Sequence, residues 1–164
     1  MTTGASPGRE PHYAPQQLGD RLALGLVKLL RFFADAFFAR RYGHRAVVLE
    51  TVAAVPGMVA GSLQHLRALR RMESDQGWIR SLLDEAENER MHLMTFIQVA
   101  RPTQFERLLI LVAQGIFYNL FFLLYLVSAR TAHRFVGYLE EEAVYSYTEY
   151  LAGVDNGTLS QRPG

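Results

Sequence analysis

The sequence predicts an all-α protein built as a bundle of long helices. Five stretches carry apolar residues at helical spacing, and breaks rich in glycine, proline and polar residues separate them. One stretch places Glu89 and His92 at i and i+3, on one face of a helix. A four-helix bundle that binds two irons through carboxylates uses such a Glu-x-x-His unit twice, with single glutamates from the other helices. The pattern therefore indicates half of a metal site in a helical bundle.

The composition restricts the class of protein and the kind of site. At 164 residues and 18.6 kDa the chain forms about one domain. Hydrophobic residues make up 49% and aromatic residues 12%, which excludes disorder for most of the chain and favours membrane contact. A net charge of +1 gives no argument for nucleic-acid binding. Because the chain has no cysteine, a metal site must use carboxylates and imidazoles, which suit iron or manganese.

Residues 1–17 are predicted to form a disordered leader. They contain three of the six prolines together with glycine and serine, and they lack an apolar run. The segment has no secretory apolar region, and its single arginine, Arg9, does not match a mitochondrial or plastid transit peptide. We therefore expect a bacterial protein.

The first predicted helix, residues 18–38, is amphipathic. Lys28, Arg31 and Asp35 lie on a different face from the apolar residues, which are Leu18, Leu22, Leu26, Leu29, Phe33 and Phe37. The helix either lies in a membrane interface with its apolar face down, or packs in the bundle with its charges solvated.

The second helix is predicted from about residue 45 to 71, after a turn at Tyr42 and Gly43. Glu50 stands alone in an apolar run from residue 46 to 60. A carboxylate desolvated in this way costs several kcal/mol unless it is paired or binds a metal, so Glu50 has either an arginine partner such as Arg45 or a metal. Pro56 is expected to kink the helix without ending it.

The third helix, predicted over residues 78–99, carries the Glu-x-x-His unit. Glu85 and Glu89 are four residues apart and repel each other. A cation bound between helices would relieve this repulsion, whereas a charged helix face in solvent is the ordinary alternative.

The fourth helix contains 21 consecutive residues without a charge, from Leu108 to Ser128. This length is sufficient to span a bilayer. The run also contains polar residues, among them Gln114 and Asn119. It therefore either spans the membrane or lies against one leaflet as a long bundle helix.

The last helix is predicted over about residues 131–151. Glu140, Ala143 and Tyr147 form an i, i+3, i+7 stripe that can face the bundle interior. The alternative is that three adjacent glutamates, residues 140–142, form a solvated face. Residues 153–164 are expected to form a loose end, which leaves residues 18–152 as the helical domain.

Three short segments resemble the signature boxes of the alternative oxidases, which are membrane-bound di-iron ubiquinol oxidases. They are residues 49–51 (Leu-Glu-Thr), 88–93 (Asn-Glu-Arg-Met-His-Leu) and 139–143 (Leu-Glu-Glu-Glu-Ala). The resemblance implies that the iron ligands are Glu50, Glu89, His92 and Glu140, with Asn88 behind them and a catalytic role for Tyr147. It implies a quinol pocket lined by Arg45, Leu49, Glu142 and Ala143. It also implies that His133 lies near a dimer contact.

The resemblance also implies the function and its setting. We expect a ferritin-like di-iron four-helix bundle with an extra membrane-associated helix. Its activity is cyanide-resistant ubiquinol oxidation in a respiratory chain, with oxygen reduced to water. The partners are ubiquinol, oxygen, a membrane and a second copy of the chain, without nucleic acid. The expected location is a bacterial inner (cytoplasmic) membrane.

The chain departs from the family pattern at the end of the bundle. Family members carry a further helix with a second Glu-x-x-His unit, and this sequence has none, so the second iron is incompletely ligated. We expect a fragment of an active oxidase or a truncated member with impaired activity, unless a partner chain supplies the helix. The competing functions are a non-catalytic membrane-associated helical remnant and another quinone-acting di-iron enzyme, such as a demethoxyubiquinone hydroxylase.

Overall fold

The structure, a computed structural model, describes residues 12–38 and 42–157, and leaves out the side chains of residues 37, 38, 42–45, 99 and 100. Within these residues the chain forms helices and no strand, which confirms the all-α prediction. The helices are α1 (Leu18–Phe38), α2 (Tyr42–Arg71), α3 (Trp78–Ala100), α4 (Gln104–Val127) and α5 (Ala129–Asp155).

The observed helix bounds correct two predicted turns. Tyr42 and Gly43, predicted as a turn, belong to the first turn of α2. A glycine costs a helix only about 1 kcal/mol, which the packing of this long helix outweighs. The segment from Gly153, also predicted as a turn, continues α5 to Asp155, and the helix ends before Gly157, whose φ of 69° is left-handed. As expected, α2 continues through Pro56.

Helices α2 and α3 pack closely as an antiparallel pair. Gly57 lies against the start of α3, where an added Cβ would come within 2.4 Å of the Leu82 carbonyl oxygen. One turn further along α2, a Cβ on Gly61 would lie 3.2 Å from Leu83 Cδ2. Because this contact involves the backbone itself, it fixes the register in which side chains of α2 face those of α3.

The main core joins α1, α2, α4 and α5. Its buried members come from all four helices and include aromatic rings that contact one another: Ala23, Val27, Val55, Val59, Phe121, Ala132, Phe135 and Tyr138. This core is fully apolar apart from one phenol hydroxyl, so it supplies stability and leaves the polar chemistry to the edges of the bundle.

The apolar faces of α1 and α4 point outward. On α1, Leu18 and Leu22 are 77% and 71% exposed, and on α4 the exposed apolar residues include Leu108, Leu111, Ile116, Leu120, Leu123 and Leu126. Two stretches of the described residues are long and apolar enough to cross a membrane: Ala46–Arg71, mostly buried in the bundle, and Gln104–Val127, of which few residues are buried. The exposed leucines of α1 do not fit the alternative in which this helix packs in the bundle with its apolar face buried.

The chain before α1 lies against α5. His12 and Tyr13 both bond to Glu141, which differs from the disordered leader expected over residues 1–17. Residues 1–11 and 158–164 lie outside the described part of the chain. The division into a leader, a helical domain and a loose end remains a prediction.

Candidate metal centre

Glu50 of α2 is the buried carboxylate at the heart of the site. It is 4% exposed, and its Oε1 accepts a hydrogen bond from the Tyr147 hydroxyl of α5. Its other oxygen, Oε2, is buried and receives no hydrogen bond from a described residue. Leaving a buried ionised oxygen without a donor is costly, so this atom requires a proton or a cation.

Glu89 and His92 of α3 face this unpartnered oxygen. His92 Nδ1 lies 3.5 Å from Glu50 Oε2 and 3.5 Å from Glu89 Oε2. The potential ligand atoms of these three residues lie within 4.8 Å of one another. The i, i+3 spacing on α3 and the close register of α2 against α3 produce this convergence. Two carboxylates and an imidazole thus surround one point.

The electrostatics of the trio favour an added positive charge. Burial raises the pKa of the Glu89 carboxyl to about 7, and the negative charge of the adjacent Glu50 adds to this rise. Burial and the bond to Glu50 also raise the pKa of the Tyr147 phenol, so this group stays a neutral donor.

Glu140 of α5 lies close enough to the trio to interact with its charges. Partial burial raises the pKa of its carboxyl, and the charges of Glu89 and Glu85 raise it further. Glu140 is nevertheless exposed to solvent and lies outside the group whose ligand atoms converge. The structure therefore brings three of the four predicted ligands together, and the fourth adds negative charge beside them.

The remaining predicted residues are spread around the centre. The Asn88 side chain is exposed. Leu49 and Ala143 are half-buried. Arg45 lies in the first turn of α2, but its side chain is outside the described part of the structure. His133 is exposed, and its Nε2 lies 3.2 Å from the Tyr125 hydroxyl.

Glu142 has partners that the sequence did not reveal. One of its oxygens accepts a bond from the Arg31 guanidinium of α1, and the other lies 2.8 Å from His12 Nε2. Arg31 could have been suspected because it lies on the face of α1 opposite the leucines. His12 gave no signal, since it lies in a segment without periodicity, 130 residues away from Glu142.

The arrangement at Glu50 fits a divalent transition metal. An oxygen with no donor, a second carboxylate with a raised pKa and an imidazole at equal distances are features that a cation would satisfy together. Ligation by carboxylate and imidazole without thiolate suits iron.

Comparison with known proteins places the chain in a family. The family model for the alternative oxidases matches residues 6–163. The chain belongs to the alternative oxidase family. Alternative oxidases are di-iron proteins, and among the described residues the trio at Glu50 is a group that could hold a metal.

Several curated alternative oxidases resemble this one over most of its length. Ubiquinol oxidase 2, mitochondrial, from Glycine max is 57% identical over 93% of the chain, which covers 46% of that protein. Ubiquinol oxidase 1a, mitochondrial, from Oryza sativa subsp. japonica is 59% identical over 93% of the chain and 46% of its own length. A ubiquinol oxidase, mitochondrial, from Batrachochytrium dendrobatidis is 57% identical over 93% of the chain and 48% of its own length. The chain therefore spans about half the length of the curated relatives it matches.

These relatives overturn the expected location. Their names place them in mitochondria of plants and a fungus, so the bacterial inner membrane is wrong. The expectation rested on the composition of residues 1–17, and a count of arginines in so short a segment does not identify a compartment.

Proposed function

We propose that this alternative oxidase takes part in the oxidation of ubiquinol by oxygen, with water as the product, at an iron centre built around Glu50. The observation that carries the proposal is the buried Glu50 Oε2, which has no donor and faces Glu89 and His92. The names of the relatives support ubiquinol as the substrate.

Glu50, Glu89 and His92 would hold iron, and Glu140 would join them from α5. Four ligands do not complete two irons, so in this proposal the second ion is incompletely ligated by the described residues. When bound, iron at this centre supplies the electron transfer to oxygen. The resemblance to a demethoxyubiquinone hydroxylase is less specific than the family match.

Tyr147 has the role of a fixed proton holder beside the centre. Its hydroxyl donates to Glu50 Oε1, and its ring stacks on Phe96 with centroids 6.2 Å apart and planes 5° apart. The stack limits rotation of the ring and keeps the hydroxyl on the carboxylate. A phenol with a raised pKa retains its proton until a group at the centre becomes a stronger base.

The quinol pocket is proposed on the α1 and α5 side of the centre. Leu49 and Ala143 would contact the quinol ring, while Arg45 and Glu142 would orient its hydroxyls; Asn88 would stand behind the ligands. The exposed leucines of α1 and α4 support membrane attachment, because quinol partitions into lipid and the mouth of its pocket must reach that depth. From the relatives we propose a mitochondrial membrane and retain a homodimer as part of the proposal.

Oxygen uptake by membranes that contain this chain tests the proposal. We expect weak ubiquinol-dependent, cyanide-resistant uptake above that of membranes without the chain, because the described residues ligate the second ion incompletely. Glu89→Ala should abolish it, whereas Glu87→Ala should leave it unchanged, because Glu87 is exposed on the same helix and pairs with Arg90. Uptake that survives Glu89→Ala contradicts the proposed centre. A purified chain with neither uptake nor iron would instead be the non-catalytic remnant.

A further inference from the structure

The chain before α1 is fastened to α5 by a histidine between two carboxylates. His12 Nδ1 lies 2.7 Å from Glu141 Oε2, and Nε2 lies 2.8 Å from Glu142 Oε1. Both distances are within hydrogen-bonding range, so the ring bridges the two carboxylates.

Further contacts fix the same segment, residues 12–17, which we call the N-terminal clasp. The backbone N–H of Tyr13 donates to Glu141, and the Tyr138 hydroxyl donates to the Tyr13 carbonyl oxygen at 3.0 Å. The Arg134 guanidinium lies 4.0 Å from the centroid of the Tyr13 ring. The His12 ring also meets the Tyr145 ring edge to face, with centroids 5.4 Å apart. His12 and Tyr13, the first two residues of the clasp, are therefore both held against α5.

We propose that His12 is a positioning residue for the quinol site, which holds Glu142 in place through the N-terminal clasp. This inference rests on the proposed function, because Glu142 is one of the residues assigned to the quinol pocket. His12 contacts one oxygen of Glu142 and Arg31 contacts the other, so the carboxylate cannot rotate without losing one of these contacts.

The surroundings of Glu142 suit a neutral, hydroxyl-bearing ligand. The Arg31 guanidinium already lies against the Glu142 carboxylate, so the site does not need a cationic ligand to balance this acid. Each oxygen of Glu142 has a second lone pair, which can accept a bond from a quinol hydroxyl. Because the carboxylate is already oriented, binding does not need to order it, and pre-ordering of this kind increases affinity.

Affinity for a short-chain ubiquinone in detergent, measured by equilibrium dialysis, tests this role. His12→Gln keeps a polar side chain but cannot bridge Glu141 and Glu142 through two ring nitrogens, and we expect about tenfold weaker binding. His12→Arg supplies several donor nitrogens that can reach both carboxylates and should recover most of the affinity. Gln17→Ala is the control, because the Gln17 side chain is exposed in the same clasp. Equal affinity of wild type and His12→Gln would overturn the inference.

A spin label reports on the clasp itself. The chain has no cysteine, so Ala14→Cys provides a single labelling position in the exposed part of the clasp. We expect a restricted label in the wild-type background and a mobile one with His12→Gln. A label equally mobile in both would contradict the clasp.

The failures of the two proposals are distinguishable. Wild type that binds ubiquinone without oxygen uptake contradicts the proposed oxidase, while the ratio of affinities still decides the role of His12. Oxygen uptake whose KM and kcat are both unaffected by His12→Gln contradicts the positioning role alone. A wild type that binds no ubiquinone overturns both.

Discussion

Two buried carboxylates of this alternative oxidase have opposite surroundings. Glu142 is 9% exposed, and its two oxygens contact the Arg31 guanidinium and the His12 imidazole. Glu50 is 4% exposed, but its neighbours are a phenol, an imidazole and a second carboxylate, and its Oε2 lacks a donor. A buried carboxylate is stable only when its charge is balanced. The comparison therefore separates an acid that the fold has already neutralised from one that requires a proton or a metal.

The largest expected effect is on iron binding at Glu50. Glu89→Gln removes a charged ligand while keeping the shape of the side chain, and we expect affinity for Fe²⁺ to fall by at least about 100-fold. An anaerobic Fe²⁺ titration of the metal-free protein measures this. Glu87→Gln is the matched control, because it makes the same substitution at an exposed position of α3 that pairs with Arg90 and lies outside the trio. Equal loss in both variants would show that general acidity, and not the trio, attracts the metal.

A smaller effect is expected on the Glu142 side. Arg31→Gln removes the guanidinium that pairs with Glu142 and should lower the free energy of unfolding by about 2 kcal/mol, since the pair is largely buried. Urea unfolding at pH 7 measures this loss. Arg80→Gln should change stability by less than about 0.5 kcal/mol, because its pair with Asp84 is exposed. If the two arginines proved equivalent, Glu142 would not differ from a surface acid.

The smallest expected effect is a pH dependence that only the Glu50 side produces. The pKa of Glu89 is about 7 in the folded, metal-free protein and 4.5 in the unfolded chain, so the folded state binds more protons between these values. This contribution to stability is complete below pH 4.5 and is lost as pH rises through 7. We expect the free energy of unfolding to fall by about 1 kcal/mol between pH 5 and pH 8, after allowance for solvent screening.

Chelator-treated protein unfolded in urea at the two pH values provides the measurement. Glu89→Gln should lose this part of the pH dependence and should be more stable than wild type at pH 8. The sign is opposite to that of Arg31→Gln, which removes a favourable charge. If Glu89→Gln kept the wild-type difference in the free energy of unfolding between pH 5 and pH 8, the pKa of Glu89 would not be the source of this pH dependence.

The sequence predicted the helices well where apolar periodicity was strong. The bounds of α1 agree with the predicted segment, because its leucines and phenylalanines recur from Leu18 to the end of the helix. Glu50 was identifiable because a single acid in an apolar run needs a partner. Gly43 and Gly153 misled the prediction, since a local preference of about 1 kcal/mol decides little in a long packed helix.

The contacts between distant segments were beyond the sequence. His12 and Glu142 are 130 residues apart, and no periodicity links them. The charged face of α1 was compatible with solvent or with a bundle, and packing against α5 decided that Arg31 turns toward Glu142. The metal, quinol and catalytic roles of all the predicted site residues remain predictions, because their assignment came from the family resemblance.

The glycine contact between α2 and α3 has a consequence for how the centre tolerates change. A helix interface made of long side chains can accommodate a small shift by changing rotamers. At Gly57 the backbone of α2 lies against a carbonyl of α3, so no side chain can adjust there. The distance between Glu50 and the Glu89–His92 pair is thus set by two main chains in contact. The close contact at Gly57 therefore sets the spacing of the ligands, and a methyl group added there, two turns from Glu50, would change that spacing.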